Sequence, residues 1–501
     1  MFWEAIPIND WLVKRSELSP NKIAFFDTDN NKKVTYNEFN QRTSAVAAFL
    51  NSYGLQKGDR VAILDFNSLF HLELLFALPR LGAIFLPLNF RLSSAELSGI
   101  IEDASPRILF HGPEWASTLK DLEPGKKETL FISTADAEKS IQNQKYTTLT
   151  DPNLDIDPES PWLLLYTGGT TGRPKGAMLS HRMVNWNALN TIISWSLIPE
   201  DVIVMSMPFF HTGGLNVFTL PLIKLGGTTV LMKNFDPQNY LQLMQKEKAT
   251  IMFMVPTMYQ LLADTREFAE TDFSRIRICI TGGSSCPENL YHLYWERNLS
   301  FKQGYGLTEA GPNCFALADS MIKEKIGSVG KAVFYGRAKA INEEGAEVLP
   351  GEIGELALNG PHLFSGYWGN RAATDEAFKD GWLLTGDLVK YDEDGYYYIV
   401  DRKKDMFISG GENVYPFEVE SVLYKHPAVA EAAVVGIPHE KWGEVGKAYI
   451  VLQQGHSIEP AELIEHSKAY LARYKIPKEI VFKDSLPKSP AGKILKRSLP
   501  Q

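Results

Sequence analysis

Between Leu163 and Ser180 the chain reads LLLYTGGTTGRPKGAMLS, an apolar run that breaks into glycines, threonines and a lysine, with a helix expected to begin near His181. An apolar strand that ends in a glycine-rich loop belongs to sheets whose ligands bind at the loop edge. Successive glycines let backbone N–H groups turn toward an anion, threonine hydroxyls add donors, and a lysine adds positive charge, so the segment carries chemistry for phosphate. It is not a Walker A loop. There the lysine follows a glycine and precedes Ser or Thr, whereas Lys175 follows Pro174 and precedes Gly176.

The rest of the chain supplies the sheet. Thr35 with Glu38, and Ser93 with Glu96, form S/T-x-x-E capping boxes that mark two helix starts. The first helix is expected to run to about Tyr53 and stop at Gly54. Strands are expected at Val61–Leu64, Ala83–Pro87 and Arg107–Phe110, with a helix over Leu69–Leu81, an alternation that predicts an α/β fold. Glycines recur after apolar runs at 213–214, 226–227, 282–283, 304–306 and 381–386, as loops gathered at one sheet edge would require. With 501 residues the chain exceeds the roughly 250–300 over which one core grows, so more than one unit is expected. Past residue 401 strands (Val429–Ile437, Lys447–Leu452, Glu479–Phe482) interleave with helices (Pro416–Tyr424, Pro460–Leu471) and suit a separate α+β unit.

Charge narrows the partners. With 51 Lys+Arg against 60 Asp+Glu the net charge is −9 and the basic residues are dispersed, which argues against nucleic acid. The stretch Leu74–Leu88 carries Arg80 and two prolines and is too short for the roughly 20 apolar residues of a membrane span; it is expected in the core. Glu4 and Asp10 interrupt any signal-peptide core, and Cys279, Cys286 and Cys314 show no CxxC spacing, so a cytoplasmic, reducing location is expected.

The segment YTGGTTGRPKG resembles the phosphate-binding signature of the adenylate-forming superfamily, which includes acyl-CoA synthetases, luciferases and peptide-synthetase adenylation domains. Four more segments agree in order. QGYGLTEAG (303–311) looks like the adenine and magnesium motif and GWLLTGD (381–387) like the ribose motif. DRKKDMFISGGENVYPFEVE (401–420) resembles the hinge and thiol-tunnel motif, and SPAGKILK (489–496) the catalytic-lysine motif. Gly168, commonly Ser in the family, is also usual in fatty-acid-activating members. The resemblance implies an α/β fold: a large N-terminal domain of layered sheets flanked by helices (1–400) that binds ATP and acid, a hinge (401–405), and a small mobile C-terminal α+β domain (406–501).

It also implies site residues. Thr170, Thr171 and Lys175, with Thr167, Gly168, Gly169 and Gly172, would hold the β and γ phosphates, and Thr308 the α-phosphate. Glu309 would bind Mg²⁺, which commonly takes one carboxylate plus phosphate oxygens and waters. Asp387 would accept from both ribose hydroxyls, with Arg402 as an added donor. Tyr305, between Gly304 and Gly306, would lie beside adenine, with Gly282 and Gly283 opposite. Lys493 would bridge the attacking carboxylate and the α-phosphate. Lys404 would be the hinge residue, and Ser409, Gly410, Gly411 and Glu412 would line the coenzyme A tunnel.

The acid pocket is read from the segments 208–214 and 255–258, that is Phe209, Phe210, His211, Gly213, Gly214, Val255 and Thr257, with Ser284–Cys286. They contain no Arg or Lys, and a second substrate carboxylate would need one. The pocket segments thus favour an apolar monocarboxylic acid, and the resemblance implies an ATP-dependent acid–thiol ligase making acyl-CoA through acyl-AMP, with a fatty acid as first choice and an aryl or succinylbenzoate-type acid as the alternative. A carrier-loading adenylation domain or a catalytically silent nucleotide-binding protein is the remaining reading. Expected co-substrates and cofactors are ATP, Mg²⁺ and coenzyme A, and the assembly open to such a chain includes a homodimer.

Overall fold

The computed structural model describes residues 10–120, 129–143, 157–167, 174–284, 286–488 and 494–500. Among them, two largely parallel sheets form the body. One has six strands in the order Leu130–Ser133, Ile108–His111, Arg60–Leu64, Ile84–Pro87, Pro161–Thr167, Lys175–Ser180. The other has seven, in the order Phe301–Gln303, Ile278–Thr281, Ile251–Met254, Val202–Met205, Thr228–Leu231, Ile23–Asp27, Lys32–Thr35. One apolar cluster, with Phe25, Phe39, Phe85, Leu163, Phe209 and Ile251, fills the space between them and reaches Val389 and Tyr397 of a five-stranded antiparallel sheet. The last hundred residues make a separate sheet in which Val429–His439, Gly443–Leu452 and Glu479–Phe482 pair side by side, with the Pro416–Leu423 and Pro460–Lys468 helices, around cores of their own.

Both capping boxes form. Thr35 and Ser93 each accept from the backbone N–H three residues on, and Glu38 and Glu96 reach back to the cap N–H groups. The expected single helix over Leu69–Leu81 instead ends at Ala77. A tight 3₁₀ turn covers Pro79–Leu81, because Pro79 has no N–H to continue the ladder. The helix expected to reach Leu471 likewise stops at Lys468.

A larger difference concerns Lys175. It was expected in a loop running into a helix, but Lys175–Ser180 is a strand antiparallel to Pro161–Thr167. The helix does start at His181.

The Leu74–Leu88 stretch lies in the core, and its charge is fully answered. Arg80, 5% exposed, gives Nε to Asp10 Oδ2 at 2.7 Å, Nη1 to Ser44 Oγ at 2.7 Å and Nη2 to Asn40 Oδ1 at 2.6 Å. A buried charge persists only with such partners. No helix among the described residues is long and apolar enough to cross a membrane.

Four histidines are held neutral, chiefly by burial, which lowers His71 to about 3 and His181, His211 and His362 to about 4. The unfolded chain takes up these protons near pH 6.5, the fold only far lower, so their contribution is intact above pH 6.5 and declines as pH falls toward 4. Lowering pH from 6.5 to 5.5 should cost about 1 kcal/mol per histidine. Denaturant midpoints measured across that range should fall, and a midpoint that stays level would contradict this placement.

Candidate active site

The loop ends of the parallel strands converge with the antiparallel sheet, and the expected residues meet there in three groups. In the first, Thr167 ends one strand and Lys175 begins the next, directly paired in register. The edge of that hairpin is covered by residues 365–368: Met178 N–H donates to Gly366 O, Ser365 N–H to Met178 O, and Trp368 N–H to Gly176 O at 2.7 Å. This clamp brings in a residue the sequence reading missed. Tyr367 Oη donates to Glu309 Oε1 at 3.0 Å, Thr167 Oγ1 donates to the same oxygen at 3.4 Å, and Lys175 Nζ lies 5.1 Å from the Tyr367 ring centre. Burial and the Glu309 carboxylate push the Tyr367 phenol up, so it stays a donor.

Thr308 and Glu309 occupy one 3₁₀ turn, Thr308–Ala310, fixed from outside by Phe364 N–H donating to Glu309 O at 2.8 Å. Both described donors use Oε1, leaving Oε2 for a hard cation. No group of three or more acidic, His or Cys side chains converges among the described residues. A magnesium ion at Glu309 would thus take one protein carboxylate and complete its shell with phosphate oxygens and water, its common habit.

The second group centres on Asp387, 6% exposed in the Trp382–Tyr391 strand. Tyr305 Oη donates to its Oδ2 at 2.5 Å, and Arg402 Nε lies 3.2 Å from its Oδ1. Strand pairing places Asp387 directly opposite Arg402. A carboxylate has about four acceptor sites, so Asp387 keeps capacity for ribose hydroxyls while anchored on both sides. Burial and Asp387 raise the Tyr305 phenol well above its usual range, and its ring meets Phe315 edge-on.

The third group is the acid side. The Phe253 ring lies 3.8 Å from a Cβ placed on Gly213 and equally close to one on Gly282, and Gly282 borders Gly304 O at 3.4 Å. Gly283 adjoins Val255 in the same way. The acid segments therefore adjoin the adenine segments across one phenylalanine, at the N-terminus of the Pro256–Ala263 helix that holds Thr257. Gly214 packs closely on the backbone, since a Cβ there would meet Pro208 O at 2.3 Å. Gly213–Val217 forms a π-helical turn, a feature frequent at functional sites. Phe209 is held through Asn67, which accepts from Phe209 N–H and donates to Met207 O. His211 Nε2 is buried without a partner among the described residues, and burial, then Arg91, keeps the ring neutral.

Beyond the hinge, Ser409 and Glu412 pair across Gly410 and Gly411, whose φ of 64° and 88° make a type I′ hairpin open to glycine. Trp442 packs on Gly410, and Gly410 N–H donates to Trp442 O. Lys404 is exposed. Gly168, Gly169, Thr170, Thr171, Gly172 and Lys493 lie outside the described residues.

The family described as AMP-binding enzyme matches residues 12–368, and its C-terminal domain matches 418–493. The chain belongs to that family. Its relatives are acyl-CoA ligases: a feruloyl-CoA synthase of Amycolatopsis is 40% identical over 98% of this chain and 97% of its own. A long-chain-fatty-acid–CoA ligase, FadD13, of Mycobacterium tuberculosis is 34% identical over 98% and 97%. Among solved structures, ATP-bound MatB from Rhodopseudomonas palustris has a TM-score of 0.89 at 31% identity, covering 98% of both chains. The apo form of MatB, with the same coverage and 32% identity, has a TM-score of 0.78. The chain is accordingly an AMP-forming acid–thiol ligase.

Replacing Asp387 by Asn removes the charge that Tyr305 and Arg402 face. Charged hydrogen bonds are worth about 1.5–3 kcal/mol, so AMP affinity measured calorimetrically should fall about ten- to hundredfold; unchanged affinity would remove Asp387 from the nucleotide site.

Proposed function

We propose that this ligase joins an apolar monocarboxylic acid to coenzyme A, using ATP and Mg²⁺. The observation that carries the proposal is the wall around Gly213 and Gly283: Met207 and Phe253 border Gly213, Val255 borders Gly283, all three are apolar, and His211 is neutral. Arg91, the cation felt by His211, is solvent-exposed. A second buried carboxylate would be left without a partner. A fatty acid is the first reading. An aryl acid is the second, favoured by the 40% identity to a feruloyl-CoA synthase.

In the first step the acid's carboxylate attacks the α-phosphorus of ATP, the acyl–oxygen–phosphorus link forms and pyrophosphate leaves. In the second, the coenzyme A thiol attacks the acyl carbonyl, the thioester forms, and AMP leaves as the thiol proton passes to solvent. The obstacle in the first step is repulsion between a carboxylate and a polyanion, which preplaced donors offset. Lys175, Thr170 and Thr171 are assigned to the β and γ phosphates, Thr308 to the α-phosphate and Lys493 to the gap between carboxylate and α-phosphate. Tyr367 orients Glu309, the magnesium ligand, and magnesium when bound neutralises phosphate charge. Asp387 and Arg402 position the ribose and Tyr305 the adenine. His211 serves as a wall, since a carboxylate needs no deprotonation at neutral pH.

The two MatB comparisons bear on domain arrangement. The same protein matches this chain better with ATP bound than without, at equal coverage, which supports reading the present arrangement as the adenylating one. The small domain then turns about Lys404 to bring Ser409–Glu412 and coenzyme A to the acyl-AMP, a movement that a few residues can absorb. The cytoplasm is the proposed location, which three buried free cysteines support, and a homodimer the proposed assembly.

An acid panel tests the substrate class. Each CH₂ buried is worth about 0.8 kcal/mol, so kcat/KM should rise steeply from acetate to octanoate, while cinnamic-type acids separate the second reading from the first. A dicarboxylate such as succinate outperforming octanoate would overturn the proposal.

A further inference from the structure

Although Lys493 lies outside the described residues, the chain on both sides of it is firmly held. Lys488 and Ile494 bridge, and Leu495 N–H donates to Pro487 O at 2.8 Å, so the chain is fixed on either side of the segment that contains the lysine. Each side carries an ion pair. Lys488 Nζ meets Glu431, and Lys496 Nζ meets Glu420 Oε1 at 2.7 Å. Glu420, 7% exposed, also accepts from Val434 N–H at 2.7 Å. All these partners lie beyond the hinge and travel together when the small domain turns.

Contacts to Asp401, on the far side of the hinge, do not travel, and Lys496 itself faces that carboxylate. Glu420 sits in the Pro416–Leu423 helix, and the start of that helix is held from across the hinge: Phe417 N–H donates to Asp401 Oδ2 at 2.7 Å. Asp401 is 8% exposed in the Tyr397–Arg402 strand, where its other oxygen takes Arg402 N–H at 2.7 Å, and that strand is paired to the one carrying Asp387. Lys404 follows three residues later. A turn about Lys404 must part Phe417 from Asp401. An ion pair between the domains, Lys425 with Glu288 at 3.5 Å, is exposed on both sides and so screened by solvent.

We infer that Asp401 is a positioning residue for adenylation: its carboxylate holds the Pro416–Leu423 helix and faces Lys496, which with Glu420 anchors the chain flanking Lys493, and it releases them when the small domain turns for thioester formation. The inference rests on the two-step reaction proposed above. Lys496 is the second positioning residue, joining that flanking chain to the helix. Asp401 thus favours one half-reaction and restrains the change to the other, a bias that a simple structural role would not produce.

The test measures the half-reactions separately by rapid quench in the full-length protein. Acyl-AMP formation is followed from ATP and octanoate or ferulate, and thioester formation from supplied acyl-AMP and coenzyme A. Asp401→Asn should slow the first about tenfold, the order of a lost charged hydrogen bond, and leave the second unchanged or faster. Phe417→Pro removes the donor N–H while keeping Asp401, in the first helical turn where that N–H has no intrahelical partner to lose, and should give the same split. Lys496→Met should slow acyl-AMP formation, with Lys496→Arg restoring most of it. Equal slowing of both half-reactions, or unaltered acyl-AMP formation in Asp401→Asn and Phe417→Pro, overturns the inference alone. A wild-type protein that forms no acyl-AMP overturns the proposed function and the inference with it.

Discussion

The carboxylate of Asp387 is the joint on which the site depends. It is nearly buried, takes the Tyr305 hydroxyl on one oxygen and faces Arg402 on the other. A carboxylate removed from water needs such partners, because an unpaired buried charge is costly. Meeting that need joins three parts of the chain: the turn after the seven-stranded sheet, the antiparallel sheet, and the strand that leads into the hinge. Tyr305, Asp387 and the strand leading to Lys404, proposed for nucleotide, ribose and hinge, are therefore placed by one set of contacts. A change at any of them is felt at the others.

A second constraint comes from the hairpin formed by Pro161–Thr167 and Lys175–Ser180. Its outer edge would expose unpaired backbone groups, and residues 365–368 cover it. Covering the edge delivers Tyr367 to Glu309, so a requirement of sheet packing also orients the carboxylate proposed to hold magnesium. Lys175 is held over the same ring. The clamp and the Asp387 joint enclose the space where the triphosphate is proposed to lie, one at the phosphate end and one at the ribose end.

What could be read in the sequence was whatever is local. Capping boxes at Thr35 and Ser93, the alternation of strand and helix, and the short motifs around Thr308, Asp387 and Lys404 depend on near neighbours. The two boxes appear as expected, and the motifs around Thr308 and Asp387 come together in one cleft. What could not be read is set by contacts far apart in the chain. Tyr367 reaches Glu309 from 58 residues away, and nothing in its own surroundings marks it. Lys175 was placed in a loop because glycine and proline precede it, yet its pairing with Thr167 makes it a strand. That Pro208 O lies against Gly214, leaving no room for a Cβ, is likewise a fact only the folded backbone holds. Arg80 looked anomalous within an apolar run until Asp10, Asn40 and Ser44 met it from other elements.

The central claim is that these residues activate an acid by adenylation before coenzyme A takes part. Isotope exchange between pyrophosphate and ATP, measured without coenzyme A, addresses that claim most directly, since exchange requires reversible formation of acyl-AMP. The account predicts exchange that depends on both Mg²⁺ and an apolar monocarboxylic acid and vanishes when either is withheld. Exchange that appears only once coenzyme A is added, or that proceeds without any acid, would contradict it.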